Sequence, residues 1–458
     1  REAAARTELL ESYADLDDHL MEELIEDRQP LAGEVYAIAA KALRENAVIE
    51  CFIGSASKGH GINRLMKSLR HDAPGVEVTR GRFNGGAIAV GALAEQFKHL
   101  GKVVLLRALD GPLGGGARLA GSDVGSITDL DAKTPLAQLE PGQIGLAVKS
   151  EHLSAGHAVS REAAERVAES GASHPSTYRR IITPDSDKDD SRLLAALSRL
   201  AEIDPALDLS VDESSGRTIL ATQGPLHLRR VLAKIAGDFG VKVNESLVPT
   251  ALRETIQRGT EIHHRHRKQT GGAGQFADVV IEIRPEARGS GFAFTETVKG
   301  GTVPRNYIPS VEEGARDGLA KGPLGHPVVD VSVELKDGKS HSVDSSDHAF
   351  RTAGKSAIRE ALDEIGTVLL QPVMKVEIHV PSVFTGALVP LVSGLKGQVL
   401  GFEAHEGAAG WDVFQLLLPM AAEDALFVGL AASTRGTAWF TSAFDHYEVR
   451  RDDAGEAA

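Results

Sequence analysis

The sequence predicts a multidomain α+β protein. Its 458 residues exceed what one hydrophobic core usually organises, and suggest about three domains. The order strand, helix, strand, strand, helix, strand occurs twice, at 175–245 and 373–449. Residues 82–160 read differently, as Gly-rich short apolar runs broken by Gly, Asp and Pro turns. Such runs indicate a small β-barrel.

In chain order, residues 8–45 read as helices. Leu9, Leu10, Tyr13 and Leu16 open an apolar stripe, Pro30 interrupts it, and "GEVYAIAAKALRENA" resumes. A short strand, Cys51-Phe52-Ile53, then enters the turn Gly54-Ser55-Ala56. Ile62, Leu65, Met66 and Leu69 recur at helical spacing, so an amphipathic helix is expected to pack back on that strand. In the barrel region the strands are "GAIAVGAL", "KVVLLRAL" and "GQIGLAV".

The first split βαβ unit runs "STYRRIIT", "DDSRLLAALSRLAEI", "ALDLSVD", "RTILAT", "LHLRRVLAKIAGDF" and "VKVNES". Its first helix carries Leu193, Leu194, Leu197, Leu200 and Ile203 on one face and ends at Asp204-Pro205. Its second helix stops at Gly240. The second unit repeats the order with "VMKVEIHV", "VFTGALVPLVSGLK", "QVLGFEAH", "WDVFQLLLP", "AEDALFVGLAAST" and "TAWFTSAFDHYEV". Pro390 inside the first of its helices counts against that helix. The flanked segment has strands such as "DVVIEIRP" and "VVDVSVELKDG", and helices at 308–321 and 347–363.

Composition narrows the classes. Hydrophobic residues make up 42% and charged residues 25%, as in ordinary globular proteins. The single cysteine, Cys51, has no partner in the chain for a disulfide, which points to a reducing compartment. No apolar run approaches the ~18 residues that span a bilayer. The acidic N-terminal stretch is not a secretory signal. The chain opens on Arg1 rather than Met, and is read as a fragment or a processed product. A net charge of −14 argues against indiscriminate nucleic-acid binding and leaves room for a local basic footprint. The densest candidate is "IHHRHRK", residues 262–268, with Arg265, Arg267 and Lys268.

Several long runs resemble translation elongation factor G. They are "KQTGGAGQFADVVIEIRP", "GSGFAFTETVKGGTVPRNYIPSVEEG", "KGPLGHPVVDVSVELKDGKSHSVDSSDHAFRTAGKSAIREAL" and "KGQVLGFEA", with "QGPLHLRRVLAKI" similar to a further family segment. The resemblance implies five domains: the C-terminal remnant of a P-loop GTPase domain (1–77), a β-barrel (78–165), a split βαβ (ferredoxin-like) domain (174–246), an elongated tip domain (247–368) and a second split βαβ domain (369–450), with a tail at 451–458. Gly54, Ser55 and Ala56 match the family's last guanine-binding loop. The sequence contains no G-x-x-x-x-G-K-[ST] phosphate loop and no Asn-Lys-x-Asp motif. GTP or GDP with Mg is therefore expected in the complete parent, and no cofactor or catalysis from these residues alone.

The Gly-rich loop 269–276 brings backbone amides close to a nucleic-acid backbone or, on a plainer reading, simply connects a hairpin. The resemblance implies a tip that enters the decoding region, with Gln269, Gly271, Gly272, Gly274 and Gln275 on tRNA or mRNA. In "GKSHSVDSSDHAF", a Ser/His/Asp hydrolase is the outside reading. Ser345 or Ser346 capping the next helix, with Asp347 in its first turn, is the plainer one. The resemblance makes this the second tip loop, with His341 and Asp344 against the tRNA–mRNA duplex. His263, His264 and His266 have no fourth ligand at useful spacing, so zinc is set aside for an RNA-facing strand. His227 reads as a helix-face histidine packed between domains.

The expected partners are the ribosome, through its rRNA and the tRNA–mRNA module, and the ribosome recycling factor. No membrane partner is expected, and the chain is read as a cytoplasmic monomer. Translocation, ribosome splitting and ribosome protection all remain open. A GTPase-free RNA-binding protein is the rival from another class. Ala273 stands where the family has Arg, Phe276-Ala277 replace Tyr-Gly, Leu395-Lys396 replace paired arginines, and Pro225 replaces Glu. These departures imply a divergent paralogue.

Overall fold

The computed structural model describes residues 2–83, 86–167, 174–212, 215–269, 274–300 and 302–450. The chain forms two compact units, Arg1–Ala172 and Ser173–Ala458. No described helix is long and apolar enough to cross a membrane.

The first unit opens with α1 (Glu2–Ala14), α2 (Asp18–Ile25) and α3 (Ala32–Arg44). Their core is Tyr13, Ala14, Leu20, Ile38, Ala39 and Ala42. The expected stripe divides: Leu10 and Tyr13 are buried, whereas Leu9 and Leu16 are exposed. Helix α4 (Ile62–Asp72) follows, then the short α5 (Val76–Gly81). The strand expected at 51–53 does not form. Its backbone has no ladder partner among the described residues, and Ile53 is 98% exposed. A strand needs a neighbour to satisfy its backbone groups. Without a sheet beneath it, α4 also leaves Ile62, Leu65, Met66 and Leu69 exposed. It is held through its other side, where His71 stacks on Tyr36 at 4.2 Å and the Ser68 hydroxyl donates to Glu50 at 2.6 Å.

The rest of this unit is β-rich. Strands β1 (Ala89–Phe97), β2 (Gly101–Ala108), β3 (Ser126–Thr128), β4 (Pro135–Leu136), β5 (Ile144–Val148), β6 (His157–Val159) and β7 (Ala164–Arg166) make one antiparallel sheet. Its order is β7-β6-β1-β2-β5-β3-β4. Val103, Val104, Leu106 and Ala147 are almost fully buried along it.

The second unit begins with β8 (Tyr178–Pro184), α6 (Asp190–Ile203), β9 (Asp208–Val211), β10 (Thr218–Thr222), α7 (Pro225–Asp238) and β11 (Val243–Ser246). The antiparallel sheet runs β9-β10-β8-β11, which is the split βαβ arrangement. Leu193, Leu197, Leu200 and Ile203 are buried, but Leu194 is 55% exposed, one step round the helix from the core stripe. Pro225 opens α7, where its missing N–H costs no helical hydrogen bond.

A short strand, β12 (Arg253–Thr255), precedes a four-stranded sheet of β13 (Thr260–Lys268), β14 (Gln275–Pro285), β15 (Phe292–Glu296) and β16 (Val331–Lys339). The order is β13-β14-β16-β15, and only β15 and β16 pair in parallel. Helix α8 (Ile308–Leu319) makes their crossover, and α9 (Asp347–Ile365) packs beside it. The two helices meet very closely. A β-carbon on Gly314 would fall 2.1 Å from the Arg351 carbonyl oxygen, so only glycine fits there.

The last domain has β17 (Val368–Pro381), α10 (Thr385–Gly394), β18 (Gln398–Ala404), β19 (Trp411–Pro419), α11 (Glu423–Ser433) and β20 (Trp439–Val449). Its sheet is β18-β19-β17-β20, again split βαβ. Helix α10 forms despite Pro390, with Leu388 and Val392 buried on either side of it. Strand β12 pairs with the first residues of β17, so this sheet also takes in a strand from the start of the preceding segment, 247–368. Glu254 on β12 is fully buried there, and accepts from the His326 amide at 2.7 Å and the Thr367 hydroxyl at 2.6 Å.

The two split βαβ domains touch through β8 and α11. Arg179 pairs with Glu423 at 2.5 Å and Arg180 with Asp424 at 3.0 Å. The Trp439 indole stacks on His379 at 3.8 Å and on His174 at 4.8 Å.

Candidate nucleic-acid interface

Strand β13 is an edge strand whose side chains alternate. Ile262, His264 and His266 are half-buried, and His264 lies 2.8 Å from Glu360 on α9. His263, Arg265 and Arg267 take the opposite face and are exposed. The Asp278 side chain, on the next strand, is only 2% exposed and binds two of these residues. Arg265 Nε donates to Asp278 Oδ2 at 2.7 Å, and His263 Nε2 lies 2.8 Å from Oδ1. A buried carboxylate needs such partners. Arg267 and Lys268 make no ion pair among the described residues. His266 meets Gln275 at 3.0 Å, so the three histidines point to three different acceptors and do not converge.

At the end of this sheet the two tip segments come together. Of the first, Gly271, Gly272 and Ala273 lie outside the described residues, while Gln269, Gly274 and Gln275 are described. The Phe276 amide donates to the Asp344 carbonyl at 2.8 Å. The Ser345 hydroxyl donates back to the Phe276 carbonyl at 2.8 Å and accepts from the His341 amide at 2.8 Å. Gly274 is seated against Asp344, whose Oδ1 would be 2.6 Å from a β-carbon. The His341 ring is half-exposed, 6.1 Å from the Phe276 ring. Its Nδ1 faces the Asp344 amide at 3.2 Å and the Asp344 carboxylate at 3.1 Å. Nε2 is left without a partner among the described residues.

Ser346, not Ser345, caps α9, accepting from the Ala349 amide at 3.2 Å. Asp347 in the first turn accepts from Ser310 at 2.9 Å. Ser345 is spent on backbone groups and makes no bond to the His341 ring, so the arrangement offers no activated nucleophile. Sequence reasoning missed Asp278, and took Ser345 only as a candidate helix cap rather than as the link between the two tip segments. An acid inside the apolar run of β14 was the available signal for the first, and nothing local marks the second.

Two further sites stand apart. Around Gly54, Ser55 and Ala56, the Ser55 amide donates to the His60 carbonyl at 3.0 Å, closing a loop. Ala56 begins a 3-10 turn, which leaves its amide outside that turn's own hydrogen bonds. His227 is packed within its own domain rather than between domains, because Nε2 lies 2.9 Å from Asp204 Oδ2 at the end of α6.

This succession of domains is the architecture of an elongation factor. Residues 175–246 match elongation factor G domain III, residues 249–365 match domain IV, and residues 368–457 match the elongation factor G C-terminus. An elongation factor G-like protein of Synechocystis sp. is 36% identical over 454 residues, covering 98% of this chain and 68% of that protein. A crystal structure of a Thermus thermophilus protein matches with a TM-score of 0.71 and 27% identity, over 97% of this chain and 67% of that one. The chain belongs to the elongation factor G-like family, and its role is that of a translation factor.

Proposed function

We propose that this chain is the ribosome-engaging part of an elongation factor G-like GTPase of the cytoplasm, acting in tRNA–mRNA translocation or in ribosome splitting with the recycling factor. The observation that carries it is the joined tip, where His341 is held by the Asp344 amide while its Nε2 has no partner among the described residues. Gln269, Gln275, Arg267 and Lys268 stand near that end and supply amide and cationic donors. Phosphate and sugar contacts position such a surface on RNA, and shape selects it.

In the complete parent, Gly54, Ser55 and Ala56 would hold the guanine base, with the Ala56 amide as a donor. GTP with Mg supplies a hydrolysable phosphate there, and the residues present here fit only its base. A titration of this chain with a fluorescent guanine nucleotide should show no saturable micromolar binding.

The tip is tested in the complete protein on ribosomes of its source. His341→Ala should slow single-round translocation or splitting by about 5- to 150-fold, the scale of a lost ~1–3 kcal/mol hydrogen bond. Ribosome-stimulated GTP hydrolysis should stay nearly constant. Equal losses in both assays would show that His341 is only structural.

A further inference from the structure

We infer that His19, Glu23 and Glu34 form a binding site for a first-row divalent cation of the Zn2+ type. His19 and Glu23 are four residues apart on α2, which places them on one face. The rotation of α2 is fixed from both sides. The Asp17 carboxylate caps it by accepting from the Leu20 amide at 3.1 Å, and Leu20 is 1% exposed in the core with Ile38, Ala39 and Ala42. Glu34 belongs to the first turn of α3, which shares that core.

One ligand atom from each residue lies within 4.8 Å of the others. A tetrahedral ion with bonds of about 2.0–2.1 Å needs its donors roughly 3.4 Å apart. Rotations of the two glutamate side chains can close that gap while the helices stay in place. His19 is exposed and gives the ion a way in.

A second observation points the same way. Glu23 Oε2 is fully buried and has no hydrogen-bond partner. A carboxylate oxygen removed from water without a partner is costly. A metal bound by both oxygens of Glu23 would satisfy it. One imidazole nitrogen with carboxylate oxygens suits Zn2+ or Mn2+, while Mg2+ and Ca2+ prefer oxygen alone. The remaining positions would be filled by water. The ion would staple α2 to α3. Nothing in the sequence announced it, because the third ligand comes from the next helix.

The test is calorimetric titration of the metal-depleted chain with ZnCl2 in excess MgCl2, with circular dichroism to confirm folding. The expected result is one micromolar site, weakened at least tenfold by His19→Ala and again by Glu34→Gln. His446→Ala, a change to an exposed histidine of the second unit, should leave it intact. Zn2+ should also raise the thermal midpoint of the wild type and not of the two site variants. Absence of a micromolar site, or one unchanged in both His19→Ala and Glu34→Gln, would overturn the assignment.

Discussion

The Ser345 hydroxyl reaches the Phe276 carbonyl across 2.8 Å, joining two segments far apart in sequence. It also accepts from the His341 amide at 2.8 Å, so one hydroxyl fixes both loops. Ser345→Ala should cost about 1–3 kcal/mol, the net worth of two such bonds. Urea denaturation followed by circular dichroism measures it. A variant as stable as the wild type would mean that water replaces the hydroxyl without loss.

Gly314→Ala should be more damaging. The added methyl would sit 2.1 Å from the Arg351 carbonyl oxygen, which is backbone and has no rotamer to yield. Overpacking of this kind costs about 1–3 kcal/mol or more. Because α8 bridges β15 and β16, the domain carrying the tip should lose its thermal transition first, as read by calorimetry. An unchanged thermogram would contradict the close approach of α8 and α9.

Stability should fall on acidification through His379. Burial lowers the affinity of this imidazole for a proton, and the neighbouring His405 and His174 add to the effect while Glu377 opposes it. Its folded-state pKa therefore lies below the unfolded value of about 6.5. The unfolded chain binds more protons, so this contribution is complete above about pH 6.5 and is lost as pH falls through the folded value. His379→Phe keeps a ring against Trp439 and removes the titration. Its stability should change less between pH 7.5 and pH 5.5 than that of the wild type, in denaturant titrations at the two pH values. Parallel losses would place the acid sensitivity elsewhere.

Ala273 offers no side-chain donor where the family has an arginine with five. On the proposed function, the complete protein should be a poor translocase. Ala273→Arg should speed single-round translocation with little change in GTP hydrolysis. A wild type that already matches the usual factor, or a slower Arg variant, would remove this account.

The split βαβ units were legible because their helices and strands bury one clear face each, as Leu193, Leu197 and Leu200 show. Leu194 was misplaced because hydrophobicity alone does not say where a stripe ends. The strand at 51–53 failed for a different reason, since β structure depends on a neighbour that local pattern cannot supply. At the tip, residue types suggested RNA contact, but the division of labour among the bases did not follow from them. His263 and Arg265 look as free as Arg267 in the sequence, and only the fold brings Asp278 between them. His227 likewise found its partner, Asp204, at the end of the other helix of its own domain.

That acid on β14 sets how the strand would meet RNA. A cation already paired inside the protein displaces few counterions when it approaches a phosphate. With Arg265 held by Asp278, the strand brings two cations that are unpaired among the described residues, Arg267 and Lys268. Counterion release then gives this strand a log–log salt slope of about −1.4 to −1.8, against roughly −2.1 to −2.7 for three. An RNA contact made this way weakens about threefold for each doubling of potassium concentration, against roughly four- to sixfold with three cations. On the proposed function, a factor that lets go of its tRNA–mRNA module after every round gains from such a grip, whose strength is set more by fit and less by a long-range field.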